Sequence, residues 1–477
     1  MSDHPRPALT DDALPFLTLA EASAAVQSGA LSPVRLAQAY LARIAAFDGQ
    51  LHSFIRVLRE PALQAAQDAE RDIAAGRSKG PLHGLPIALK DIYNTAGVAT
   101  TAHSALFLDH IPDEDATTVR LLREAGAVLI GKTATWEFAV GGVSFDLPFP
   151  PARNPWNTAY DPAGSSSGSG VAVAAGFCAA ALGTDTGGSI RSPSAWNGVA
   201  GLKPTYGLVS RHGVLPLSFT LDHAGPMAWT VEDCAMLLNV LAAHDPADPA
   251  SARQPSRDYV AALRAPDALD LSGLRIGVVR HFFESDSPAE PDVRAATEAA
   301  LAIFRAQGAQ VRDVTMAPLR QYHDLCNLIS AAESYAIHAQ WLRRTPEKYG
   351  AIARDRIASG AFVAASDYVN ALRHRARLCA DAARLMHDVD LLVCPTRPMA
   401  AQRLGELDVI LGTMTYTRPF NVLGLPALSV CSGFSADGLP LSLQIAGRAF
   451  EDARVLKAGH AFERIAGHRA RRPVLQS

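Results

Sequence analysis

Residues 115–133, DATTVRLLREAGAVLIGKT, join an amphipathic helix, a glycine that stops it, and a short apolar run that suits a buried strand. The pattern recurs along the chain. VAVAAG and FCAAALGTDT (171–186) read as helix then strand. GLRIGVV (273–279), a helix near 291–307 and QVRDVTM (310–316) repeat it. VDLLVCP (389–395), PALSVCSGF and PLSLQIAGR (426–448) are further strands, and a last helix covers about 451–466. Near the start, 18–48 reads as two helices, the second with Ser32 as N-cap and Pro33 in its first turn. Another helix spans 60–76. Helices alternating with short apolar strands imply an α/β layer fold.

The 477 residues carry about 48% hydrophobic side chains, enough for a large core and too many for disorder. The Pro- and Asp-rich stretch 242–259 is the best candidate boundary. It reads as a surface loop, because the strands on its two sides are few and need each other. The expectation is one domain over 1–477. It has an N-terminal helical region (1–60), a core of motifs (60–240) and a helical segment (320–385) able to cap a site. The net charge of -3 lacks the basic footprint of a nucleic-acid binder. The N-terminus MSDHPRPALT has no signal-peptide pattern, and the longest apolar run (171–182) is too short for a bilayer. Six scattered cysteines without C-x-x-C argue against a disulfide framework or a zinc site. These features give the expectation of a soluble, cytoplasmic protein with a small-molecule substrate, no nucleic acid and no membrane. A homodimer is left open.

Three motifs compete. GAVLIGKT (126–133) matches the phosphate-loop pattern of an NTPase, but that loop needs a strand before it and a helix after it. Here a helix precedes, and Ala, Val, Leu and Ile favour an extended core strand. GSSSG (164–168) matches the nucleophile elbow, with Ser166 as nucleophile, yet NPWNTAYDPA before it is no strand. A flexible linker fits no better, because GSSSGSG runs straight into an apolar segment. GTDTGGSIR (183–191) is the strongest. At its plainest it is an ordinary glycine turn after a strand. As a functional element it is a nest of amides from Thr186, Gly187, Gly188 and Ser189 that holds an oxyanion, with the Ser189 hydroxyl beside it. Asp185 and Arg191 flank the turn and can brace it as a charge-assisted pair.

A serine nucleophile needs a base. His83, His212 and His223 lie in loop-like segments with nothing to set them apart. Of 44 basic residues only six are lysine, so Lys90, at the end of the apolar run GLPIALK, is an unusual choice. Arginine cannot lose its proton, whereas a buried lysine can. Neutral lysine at pH 7 requires its pKa to fall by about 3 from about 10.4, near 4 kcal/mol.

Lys90, GSSSGSG, GTDTGGSIRSP, GLKPTYGLVSRHG (201–213), LDHAGPM (221–227), the 115–133 stretch, TRPFNVLGLPALSV and GLPLSLQIAGR occur in an order that resembles the amidase signature family over roughly residues 18–465. The resemblance implies a large twisted mixed β-sheet covered by helices on both faces. It implies a Ser-cisSer-Lys triad: Ser189 as nucleophile, Ser165 as the bridging serine after a cis bond from Gly164, and Lys90 as base. Lys132 and Lys203 are the residual lysines in recurring motifs. The chain departs from the family's Gly/Ser run at Ala163 and Ser167. The implied reaction is cleavage of the C–N bond of a small carboxamide or aryl amide through an acyl-enzyme, with esters and carbamates as further substrates and no metal or organic cofactor. Around TWEFAVGG (135–142), Gly141 and Gly142 are the expected substrate-binding positions, and 320–420 supplies the other walls. The alternative is the A subunit of a glutamyl-tRNA(Gln) or aspartyl-tRNA(Asn) amidotransferase. That subunit typically has glutamine after SIR, where this chain has Ser192, and PLSFTLDHAGPM (216–227) looks more like a free-standing amidase.

Overall fold

Ser32 and Pro33 begin the helix Pro33–Leu51, and the Ser32 side chain accepts from the Arg35 N–H at 3.1 Å. A serine ahead of the first turn satisfies a backbone donor that the helix cannot, and proline there has no donor to satisfy. The helices Arg59–Ala74, Thr117–Glu124, Pro291–Ala306 and Asp452–Ala466 fall where periodicity places them. The structure, a computed structural model, describes residues 10–406 and 413–475.

Among the described residues eleven strands form one sheet. In chain order they are β1 (Phe54–Val57), β2 (Pro86–Lys90), β3 (Val128–Thr133), β4 (Ala180–Asp185), β5 (Ala200–Lys203), β6 (His223–Ala228), β7 (Arg275–Val278), β8 (Gln310–Asp313), β9 (Leu391–Pro395), β10 (Ala427–Phe434) and β11 (Pro440–Gly447). Their order across the sheet is β1-β3-β2-β4-β6-β5-β10-β11-β9-β7-β8. β2 runs parallel to β3 and β4, and β7 runs parallel to β8 and β9. The other pairings are antiparallel. The sheet is therefore mixed, and β2, β3, β4, β5, β6, β9 and β11 are buried along their whole length. Burial of every residue in a strand requires cover on both faces, which the helices supply. This is the large mixed sheet covered by helices that the resemblance leads one to expect.

β5 and β10 pair through Ala427 and Lys203, so strands from both sides of 242–259 share the sheet. That stretch is tied back by Ala252 N–H to Gly207 C=O and by Arg211 N–H to Asp248, both at 2.8 Å. The 320–385 region forms the helices Leu319–Arg344, Ala351–Ala358 and Ala365–Asp388, which lie outside the sheet, and the first two wall the cavity described below. No described helix is long and apolar enough to cross a membrane.

Candidate active site

β2 and β4 are parallel neighbours, paired through Leu89 and Leu182, so their carboxyl ends lie side by side. Such ends are the usual ligand position in α/β sheets. β2 ends on Lys90 and β4 ends on Thr184 and Asp185. Lys90 Nζ donates to Ser165 Oγ at 2.6 Å and to Thr184 Oγ1 at 2.8 Å, with all three residues buried. Burial lowers the Lys90 pKa to about 7, against the opposing pull of Asp222 and Asp185. Desolvation disfavours the ammonium form, so this side chain is deprotonated in a large fraction of molecules at neutral pH.

The Gly164–Ser165 peptide bond is cis. Ser165 C=O accepts from the Trp136 N–H at 3.1 Å, and the Ser166 N–H donates to Ser189 C=O at 3.2 Å, which joins the serine loop to the 183–191 turn. Gly164 has no room for a side chain, since a Cβ there would lie 2.4 Å from the Trp136 ring. Ala163 stands at φ 59°, the left-handed region that glycine enters more cheaply. The loop thus persists through the Ala163 departure from the family run.

Asp185 organises the turn. Arg191 grips it with Nε to Oδ2 and Nη2 to Oδ1, both at 2.9 Å, and Asn421 Nδ2 reaches Oδ1 at 2.8 Å. Arg191 also donates to Gln444 Oε1 at 2.6 Å and Asn421 Oδ1 at 2.6 Å, which fastens the turn to β11 and the helix Arg418–Val422. Burial opposes the Asp185 charge, but Arg191 outweighs it and holds the carboxyl below its ordinary range. One expectation needs correction. The Gly188 N–H donates to Asp185 Oδ1 at 2.7 Å, so it is committed to the brace and does not point at an oxyanion. Gly188 is glycine for another reason: its φ is +129° and a Cβ would lie 2.3 Å from Thr417 Oγ1. The N–H groups of Thr186, Gly187 and Ser189 have no acceptor among the described residues.

A cavity of about 560 Å³ opens over Ser189. Gly164 and residues 186–189 form its floor, and Trp136, Val140, Gly141, Leu217 and the helices Leu319–Arg344 and Ala351–Ala358 form its walls. Gly141 lies in it, at φ +97°, where any side chain would be strained. Gly142 does not; it faces a separate void of about 10 Å³ beside His103. The expected pairing of these two glycines in one substrate pocket is therefore corrected, because the chain turns between them. Arg356, Arg397 and Arg418 also line the main cavity. The sequence singles out none of them, since 38 arginines offer no contrast. Thr184 also escapes a reading of the sequence, although the GTDT string contains it.

The remaining candidates have other places. Ser166 Oγ bonds the Thr184 backbone at 3.2 Å, below the cavity floor. Within GAVLIGKT, VLIGKT is the buried strand β3, with Gly131 making room for β1, so the string forms no phosphate loop. Lys132 Nζ donates to Tyr93 C=O at 2.6 Å and pairs with Asp91, and Lys203 Nζ donates to the carbonyls of Leu425 and Pro204. Neither is hydrogen-bonded to the serines. His223 binds the carbonyl of Leu221 at 2.7 Å, and His83 accepts from the Lys79 N–H at 3.0 Å.

Fold and site together define an enzyme that acts on non-peptide carbon–nitrogen bonds. The chain belongs to the amidase family, whose model matches residues 35–456. It is 40% identical to the A subunit of a glutamyl-tRNA(Gln) amidotransferase from Chloroflexus aggregans, over 97% of this chain and 99% of that one. Its fold superposes on the same subunit from Thermotoga maritima with a TM-score of 0.82 and 31% identity, covering 98% and 99% of the two chains. It superposes on the peptide amidase of Stenotrophomonas maltophilia with a TM-score of 0.85 and 33% identity, covering 97% and 100%. The similarity to amidotransferase subunits overturns the expectation of a small-molecule enzyme with no nucleic-acid connection. Net charge does not decide the point, because a basic footprint marks only a chain that itself grips the phosphate backbone.

Proposed function

We propose that this chain is the amide-cleaving subunit of a tRNA-dependent amidotransferase, and that Lys90, Ser165 and Ser189 carry out the cleavage. Neutral Lys90 takes the Ser165 proton as Ser165 takes that of Ser189. The Ser189 oxygen forms a bond to the amide carbonyl carbon. The N–H groups of Thr186, Gly187 and Ser189 hold the resulting oxyanion. The proton returns through Ser165 to the amide nitrogen, the C–N bond breaks and ammonia leaves. The acyl group remains as an ester on Ser189. Water then repeats the relay and frees the acid. Asp185 and Arg191 position the turn.

The observation that carries the chemistry is the buried Lys90 Nζ at 2.6 Å from Ser165 Oγ. The assembly is inferred from similarity along nearly the whole length of amidotransferase A subunits. In that role the amide donor is glutamine, and ammonia passes to glutamate or aspartate esterified to tRNA in the cytoplasm. The test compares the purified chain alone with the chain plus its partner subunits and glutamyl-tRNA(Gln), following ammonia and glutaminyl-tRNA. Glutamine cleavage stimulated by the complete assembly supports the reading. Full activity without partners, indifferent to tRNA, refutes it.

A second reading has one specific observation in its favour. Ser192, not glutamine, follows Arg191 and lines the cavity. It points to a free-standing hydrolase of small carboxamides, with esters and carbamates cleaved through the same intermediate. Activity of the lone chain on such compounds selects this reading.

A further inference from the structure

The strings GTDTGGS and LDHAGPM lie more than thirty residues apart in the chain and meet in the sheet. β4 and β6 are antiparallel neighbours in which Asp185 pairs with His223. The next pair outward is Thr186 and Asp222, which face each other where the two strands end. Asp222 Oδ1 accepts from Thr186 Oγ1 at 2.5 Å. Asp222 Oδ2 accepts from the N–H groups of Leu217 at 2.8 Å and Ser218 at 2.9 Å. One carboxylate therefore ties the Ser189 turn to the 217–222 loop. Burial raises its pKa, and the Thr186 hydroxyl with the two N–H groups pulls it back toward the charged form.

The loop is itself fixed from outside. Glu333, on the helix Leu319–Arg344, accepts from the Ser218 hydroxyl, from the Thr220 N–H at 3.1 Å and from Thr220 Oγ1 at 2.5 Å. Tyr368, on the helix Ala365–Asp388, donates to the same carboxylate at 2.7 Å. Asp222 thus offers the turn an anchored acceptor.

The turn needs one. Asp185 holds its far half through the Gly188 N–H at 2.7 Å and the Ile190 N–H at 3.1 Å. The near half carries the N–H groups of Thr186 and Gly187. In 186–188 only Thr186 has a side chain, and its hydroxyl is given to Asp222. A bond to a carboxylate is short and directional, so it limits how far Thr186 can rotate. Misaimed donors lose much of their hold on a developing oxyanion.

We infer that Asp222 is a positioning residue: by holding the Thr186 hydroxyl it aims the near amides of the turn at the oxyanion formed when Ser189 attacks. The inference rests on the proposal that Ser189 is the nucleophile. The alternative is a purely structural role, in which Asp222 only closes the 217–222 loop.

The test follows sulfonylation of Ser189 by phenylmethanesulfonyl fluoride in the full chain, read by mass spectrometry. The serine oxygen bonds to sulfur and fluoride leaves, so no amide turnover is needed. Asp222→Asn keeps the volume and one acceptor. It is expected to lower the maximal labelling rate about tenfold to a hundredfold with little change in the reagent concentration for half-maximal rate. Thr186→Val is expected to lose rate to the same degree, and Thr186→Ser, which keeps the hydroxyl, to lose less. Both Asp222→Asn and Thr186→Val break one link, so the double variant is expected to be about as slow as the slower single one. Losses that multiply in the double variant overturn the inference, as does an Asp222→Asn variant that labels at the wild-type rate or is altered only in the half-maximal concentration. If Asp222→Asn fails to fold, the Thr186 pair decides: a slow Val with a faster Ser supports the inference, and equal rates overturn it. Ammonia release from glutamine is measured beside the labelling. If Ser189 is labelled with this dependence while no amide is cleaved, the positioning role stands and the amide-cleavage proposal falls. Wild type that is not labelled at Ser189 overturns both.

Discussion

Thr184 Oγ1 accepts a hydrogen bond from Lys90 Nζ at 2.8 Å, so the lysine that reaches Ser165 is also held by the neighbouring parallel strand. An acceptor favours the ammonium form and fixes the side chain. Thr184→Val keeps the shape and removes the acceptor. The acid limb of the pH–rate profile is expected to move to lower pH, and kcat to fall about tenfold to a hundredfold through looser positioning. A profile and kcat identical to wild type would mean that Thr184 does not tune the base.

Lys90 works as a base only when neutral, and burial brings its pKa to about 7. The rate is therefore expected to rise from pH 5 and to level off above about pH 8; a flat profile from pH 5 to 9 contradicts lysine as base. Stability carries the same sign. The folded pKa lies below that of the unfolded chain, so unfolded molecules bind more protons between about pH 7 and the ordinary lysine value. The stabilisation from this group is present above that window and is lost as pH falls through about 7. In Lys90→Met this part of the pH dependence disappears, which denaturant titrations at pH 6, 8 and 10 can follow.

Arg191 and Asp185 are both fully buried. Removing one partner leaves the other charge stranded, which typically costs about 3–5 kcal/mol. Arg191→Ala is expected to lose stability on that scale in urea titrations. A loss below about 1 kcal/mol would show that solvent or rearrangement replaces the brace.

Gly187 and Gly188 look alike in the sequence and differ in the fold. A Cβ at Gly188 meets Thr417 Oγ1 at 2.3 Å and the residue sits at φ +129°, whereas at Gly187 the nearest atom is Cys326 Sγ at 3.4 Å. Gly188→Ala is expected to lower Tm clearly and Gly187→Ala to lower it little. Equal effects on Tm would contradict the packing of Thr417 against the turn.

The parts legible in the sequence are those whose cause is local. Ser32 and Pro33 mark a helix start by chemistry that acts within one turn, and VLIGKT reads as a buried strand from its own side chains. β5 and β6 are not legible in that way. AGLK and HAGPMA contain Gly and Pro, which disfavour strands, and Pro226 sits well inside the sheet. They are strands because neighbours on both sides and close backbone approach, such as Gly225 against Leu202 C=O, require it. The same contrast holds in the site. Lys90 stands out because lysine is scarce. The arginines of the cavity wall, Arg356, Arg397 and Arg418, do not, because arginine is common in this chain and only the assembled fold brings the three together.

The most direct measurement is mass spectrometry of the chain quenched during turnover of a slowly deacylating amide or ester. The expected result is one acyl adduct, mapped to the peptide containing Ser189, absent in Ser189→Ala and strongly reduced in Lys90→Ala. An adduct on another residue, or normal turnover by folded Ser189→Ala, would contradict acyl transfer through this serine.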